Sequence, residues 1–132
     1  LLWGLESLFY KLKARNIHIT FSHSDIDDNL QHNKKLAESI YRICQEAILN
    51  SVTHGKSQNI NINLLYSDHQ VKLYINDDGI GCEHIVKNKG ITSMEKRVYE
   101  LSGEISYGSP SEGGFNIKII FPYEKTAVGV SK

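Results

Sequence analysis

The apolar residues of this chain change their spacing along its length, and that change limits the folds open to it. Leu36, Ile40, Ile43 and Ala47 recur every three or four residues, the spacing of one helix face. Ile60, Ile62 and Leu64, then Val71, Leu73 and Ile75, recur every second residue, the spacing of strands with one apolar side. The same two periods frame this centre. Leu5, Leu8, Phe9 and Leu12 predict a first helix, and Ile17, Ile19 and Phe21 a strand after it. Met94, Val98 and Leu101 predict a last helix, opened by a capping box at Thr92-Ser93-Met94-Glu95 and stopped by Gly103. Ile105–Tyr107 and Phe115, Ile117, Ile119, Phe121 predict a closing hairpin. Polar residues 25–33 read as loop, residues 67–70 as a turn, 77–90 as a glycine-punctuated loop, and Gly55 as the cap of the long helix. The sum is an α+β two-layer sandwich: a mixed, mostly antiparallel sheet with its helices on one face.

A chain of 132 residues with 40% hydrophobic content is sized for one domain, with a core over about residues 5–122 and a tail from 123 that frays. Fifteen basic side chains balance fifteen acidic ones, which leaves no electrostatic footprint for nucleic acid or an anionic membrane. No apolar run approaches the ~18 residues of a membrane span. Cys44 and Cys82 form no zinc pattern, and two such thiols fit a reducing compartment, the cytosol. The chain opens at Leu1 and its one methionine is Met94, so we read it as a piece of a longer protein.

Gly55-Lys56-Ser57 resembles the end of a phosphate-binding loop, but such a loop needs a glycine where Asn50 stands and lies between a strand and a helix. Here the tripeptide closes a helix, so that reading fails. Glu46, Asn50 and His54, spaced by four, instead form one stripe beside the apolar face. A carboxylate and a carboxamide oxygen suit Mg²⁺, which takes one or two protein ligands and completes its shell with phosphates and water. A solvated flank of an amphipathic helix gives the same triple. Asp77-Asp78-Gly79-Ile80-Gly81 follows a strand directly. A carboxylate at a strand end can accept from the exocyclic amine of adenine, where guanine presents a carbonyl. An ordinary Asp-Gly turn has the same sequence.

Taken in order, QEAILNSVTHGKS, DDGIGC, KGITSMEKRV, LSGEISY and EGGFNIKIIFP resemble the asparagine and glycine boxes of the ATP-binding catalytic domain of bacterial sensor histidine kinases, in the branch that includes nitrate and membrane-fluidity sensors. The resemblance covers about residues 36–122 and implies the Bergerat ATP sandwich, with ATP and Mg²⁺ as ligands. It implies that Asn50 ligates the ion, Glu46 positions the ion or its water, and His54 approaches the phosphates or sugar. Asp77 would read adenine, Gly79 and Gly81 would shape the base pocket, and residues 82–90 would form a lid. Lys89, Gly90, Ile91 and Gly114 would complete the nucleotide site, with amides at Gly90 and at a helix start near Thr92 facing the anion.

Residues 88–94 keep only one glycine and the methionine of the branch's Gly-x-Gly-Leu-x-Gly-Met lid box, and Gly114-Phe115 stands where Gly-Thr is usual. The family's phosphorylated histidine is followed by an acidic residue, and none of the six histidines here is. The resemblance therefore implies a domain that presents Mg-ATP to a histidine on a helical dimerisation domain outside this chain, for onward transfer to a response regulator. The intact kinase would be a homodimer, the isolated domain a monomer, and the domain would be the cytoplasmic part of a membrane-anchored sensor. An anti-sigma-factor serine kinase of the same fold, or a non-catalytic nucleotide-sensing or docking module, are the competing readings.

Overall fold

The computed structural model describes residues 1–13, 17–26, 30, 33–53, 59–78, 89–108 and 114–124. Its elements run α1 (Leu2–Lys13), β1 (His18–Ser24), α2 (Lys34–Thr53), β2 (Asn59–Ser67), β3 (Gln70–Asp77), α3 (Lys89–Glu100), β4 (Glu104–Gly108) and β5 (Phe115–Pro122). The strands form one sheet in the order β1-β2-β3-β5-β4, with β1 parallel to β2 and every other neighbour antiparallel. This is the expected α+β sandwich. The parallel step needs a crossover, and α2 supplies it between β1 and β2.

Period-two patterning sorts the two sides of the sheet. Ile60, Ile62, Leu64, Val71, Leu73, Ile75, Ile117, Ile119 and Phe121 are buried together with Leu5, Phe9, Leu36, Ile40, Ile43, Ala47, Met94 and Val98 of the helices. The opposite face carries Asn61, Asn76 and Asn116 in one transverse register, away from the core that the described helices cover. Leu30, within the stretch read as polar loop, is also core, as are Cys44, Ile48 and Ile91. Single apolar residues amid polar neighbours carry no period, which is why Leu30 is silent in the sequence.

Element ends refine three expectations. Asn33 caps α2: its Oδ1 accepts from the Leu36 amide at 3.2 Å and its carbonyl from that of Ala37 at 2.9 Å. Gly55, the expected cap at the other end, lies outside the described residues. α3 already includes Lys89 and Gly90, so Thr92 is within the helix and the capping box does not open it. At its far end the left-handed residue is Ser102 (φ 59°), not Gly103. The Ser102 and Gly103 amides bond the Tyr99 and Val98 carbonyls at 3.1 and 2.9 Å, a Schellman close. Gly103 is needed for space instead, since a Cβ there would lie 2.7 Å from the Ile120 carbonyl oxygen.

The β2–β3 turn is tight, with Asp68 and His69 both left-handed (φ 53° and 61°), as a two-residue hairpin loop requires. Tyr123 and Glu124, expected to fray, are tied to it. The Tyr123 amide donates to the His69 carbonyl at 3.0 Å, its ring meets Tyr66 edge-on, and Glu124 lies 3.3 Å from His69 Nδ1.

Candidate functional site

Three parts of the chain carry the residues that the sequence singles out: the end of β3, the start of α3 and the polar flank of α2. Asp77 ends β3, paired with Phe115 at the start of β5. α3 ends at Glu100, and Gly103 just beyond it packs against Ile120 and Phe121, at the other end of β5. α2 ends at Thr53, six positions before Asn59, which is bonded to Asp78.

The two adjacent acids there are sorted by the pleat. Asp77 continues the series Val71, Leu73, Ile75 and so takes the helix-bearing side of the sheet, half-buried. Asp78 falls on the other side. Its carboxylate accepts from the Asn59 amide at 2.9 Å and from Asn59 Nδ2 at 2.7 Å, while its own amide donates to the Asn59 carbonyl at 3.1 Å. Asp78 thereby clasps β3 to β2 and fixes the backbone from which Asp77 projects. Gly114 secures that backbone from the other neighbour. It is buried, with φ 89°, and a Cβ added to it would meet the Asp77 carbonyl oxygen at 2.4 Å. Only glycine permits this approach.

On α2 the polar flank is Ser39, Glu46 and Asn50, seven and four residues apart and therefore in line. Ser39 is buried; Glu46 and Asn50 are half-buried. Asn50 Nδ2 is inaccessible to solvent and has no hydrogen-bond partner. A buried amide left so costs about 1–3 kcal/mol, which a ligand oxygen would recover. Turned about its last torsion, the same amide offers Oδ1, a hard donor for a divalent cation. Glu46 also borders a groove of about 300 Å³ between α1 and α2, with Leu8, Leu12, Ile17, Ile48 and Leu49.

Lys89 and Gly90 begin α3, whose first-turn amides lack intrahelical acceptors and favour an anion. Ile91 is a core residue. His54, Gly79, Gly81 and the expected lid over 82–88 lie outside the described residues. Among the described residues no three His, Cys, Asp or Glu side chains gather as a metal cluster. Asn59, whose clasp with Asp78 carries no motif, and Arg97, whose Nε is buried without a partner, leave no signal in the sequence. Cys44 is wholly buried, and desolvation pushes its thiol up to about 12. It is packing, not a nucleophile.

No family model matches the chain. Among curated proteins it is similar to the sensor histidine kinase YxjM of Bacillus subtilis, 22% identical over 126 residues, which is 95% of this chain and 31% of that protein. It is 28% identical over 94 residues to the nitrate/nitrite sensor protein NarX of Escherichia coli, 69% of this chain and 16% of NarX. The sensor protein VraS of Staphylococcus aureus is 27% identical over 95 residues, 70% of this chain and 27% of VraS. The chain thus spans a third or less of the length of these relatives. Among solved structures, the ATP binding domain of PrrB from Mycobacterium tuberculosis superposes with a TM-score of 0.70 at 16% identity, covering 92% of this chain and 93% of that one. The histidine kinase domain of the Erythrobacter litoralis EL346 blue-light activated kinase gives 0.68 at 18% identity, covering 89% and 58%. The relatives are sensor histidine kinases, and the fold is that of histidine-kinase catalytic domains.

Proposed function

We propose that this chain, with the fold of histidine-kinase catalytic domains and relatives among the sensor kinases, binds Mg-ATP and presents its γ-phosphate to a histidine on a separate helical dimerisation domain. A response regulator would receive the phosphoryl group from that histidine. Two observations support the reading: Asp77 is half-buried on the helix-bearing side of the sheet, on a backbone anchored from both neighbouring strands, and the Asn50 amide nitrogen on α2 is buried without a partner. Asp77 accepts from the adenine amine and so selects against guanine. Asn50 and Glu46 are the residues that would hold Mg²⁺, and the ion when bound neutralises charge on the phosphates. The first turn of α3 offers amides to those phosphates, with Lys89 beside them in sequence. His54, Gly79, Gly81, Gly90 and Gly114 complete the proposed contacts.

Positioning is the main contribution such a domain makes to phosphoryl transfer. No helix among the described residues is long and apolar enough to cross a membrane. We place this domain on the cytoplasmic side of a membrane-anchored sensor. Calorimetric titration with ATP, with and without Mg²⁺, tests the site. Asn50→Ala should abolish most of the magnesium-dependent gain while leaving the metal-free affinity nearly unchanged. An equal loss in both conditions removes Asn50 from the metal. Adding the helical domain of the same kinase in trans should yield acid-labile phosphohistidine. Nucleotide binding without that product would favour a sensing or docking module.

A further inference from the structure

Phe115 is the residue directly opposite Asp77 across the β3–β5 pair. Opposed residues of antiparallel strands send their side chains to the same face, with Cβ atoms about 4.5–5.5 Å apart. Phe115 therefore shares the helix-bearing side with Asp77, in line with Ile117, Ile119 and Phe121. Those three are buried in the core, whereas Phe115 is only half-buried, so part of it stays accessible at the sheet end that Asp77 occupies. On the other flank Asp77 is opposed by Ile60 of β2, which is fully buried and already covered. The accessible neighbour of the carboxylate is the phenyl ring.

Two contacts fix that ring. Tyr107 of β4 is paired with Ile117, hence on the same side, and stacks on Phe115 with centroids 6.3 Å apart and planes 23° from parallel. Gly114, just before it, holds the left-handed backbone that lies against the Asp77 carbonyl. A ring already held in place costs little ordering entropy when a flat ligand meets it. Phe115 also stands where the family's box usually has threonine, so the ring is a feature of this chain.

We propose that Phe115 is a specificity-determining residue of the base site: its ring packs on the purine and keeps water from the bond between the Asp77 carboxylate and the exocyclic amine. The inference rests on the ATP-binding reading above. Tyr107 touches the ring and not the base, so it is a positioning residue. In a dry corner a base that lacks the amine leaves the carboxylate desolvated and unpaired, and the missing hydrogen bond becomes a penalty. The ring thus sharpens selection for a 6-aminopurine.

Titration with Mg-ATP and with the triphosphate of purine riboside, which lacks only the amine, tests it. Sugar, phosphates and metal are the same in both ligands, so a variant that is merely loosened weakens the two alike. Phe115→Ala should weaken ATP about tenfold, the worth of a base–aromatic contact, and shrink the ratio of the two affinities roughly threefold. Phe115→Thr, which suits a strand, should shrink the ratio as well, and Phe115→Leu, which keeps an apolar wall, should recover most of it. Tyr107→Ala should shift the ratio in the same direction by less. An unchanged ratio in folded Phe115→Ala or Phe115→Thr overturns the proposal. If ATP still binds the wild-type chain and is weakened by Asp77→Asn, that result removes the aromatic wall alone. A wild-type chain that binds no ATP removes the base site with it.

Discussion

Asp77 and Asp78 are chemically identical neighbours that the pleat sends to opposite faces of the sheet, and their substitutions should fail in different assays. Asp77→Asn should cost about 1.5–3 kcal/mol of ATP affinity, the worth of a hydrogen bond to a charged group, with little change in unfolding free energy. Asp78→Asn should do the reverse, losing about 1 kcal/mol of stability by urea denaturation as the Asn59 clasp weakens, while calorimetry finds ATP affinity nearly intact. Matching losses of affinity in both variants would show that the two acids are not divided in this way. Cys44 gives a pH signature of its own. Its thiol titrates near 12 when folded, against 9.0 for an unperturbed one, because burial disfavours the thiolate. The unfolded chain therefore releases this proton first as pH rises. The folded state keeps the full benefit below about pH 9 and loses about 1.4 kcal/mol per pH unit between 9 and 12. Cys44→Ala should remove that slope from the difference between denaturation curves at pH 8 and pH 10.5.

Among the elements, α3 shows how two adjacent residues can end a helix for unrelated reasons. Ser102 holds the left-handed position and Gly103 the close contact with Ile120. Ser102→Gly should stabilise the fold by about 0.5–1 kcal/mol, since the left-handed region costs a side-chain-bearing residue about 1–2 kcal/mol and the freer unfolded glycine offsets part of that gain. Gly103→Ala should lower the melting temperature instead, as its Cβ meets backbone that cannot yield. Thermal unfolding of the two variants separates the effects by sign. From the sequence the stop falls to Gly103, because glycine is the commonest left-handed cap, while its contact with Ile120, 17 residues further along the chain, leaves no local mark. The same limit explains the N-terminus of α3. Thr92-Ser93-Met94-Glu95 has the letters of a capping box, yet the helix is already a turn old there. Where the period was strong, in α2, β2, β3 and β5, both the element and its buried side were legible.

At the scale of the whole molecule, sheet order and the close approach of Gly114 to Asp77 were not readable from spacing. Period-two patterning tells which residues face the core but not which strand lies beside which. β5 entering between β3 and β4 is a non-local event. The ordered boxes and their resemblance supplied what the spacing could not, while Asn59 stayed hidden because its partner is nineteen residues away. The β2–β3 hairpin is closed at both ends, by the Asp68-His69 turn and by the Asn59–Asp78 clasp. A ribbon fastened at each end can assemble early from short-range encounters, before the crossover through α2 brings β1 alongside. Its amides should consequently be the last to trade protons for deuterons in heavy water, and those of β1 among the first. The nucleotide would thus sit against the slowest-opening part of the chain, so that movement of neighbouring segments during a catalytic cycle leaves the floor beneath the base undisturbed.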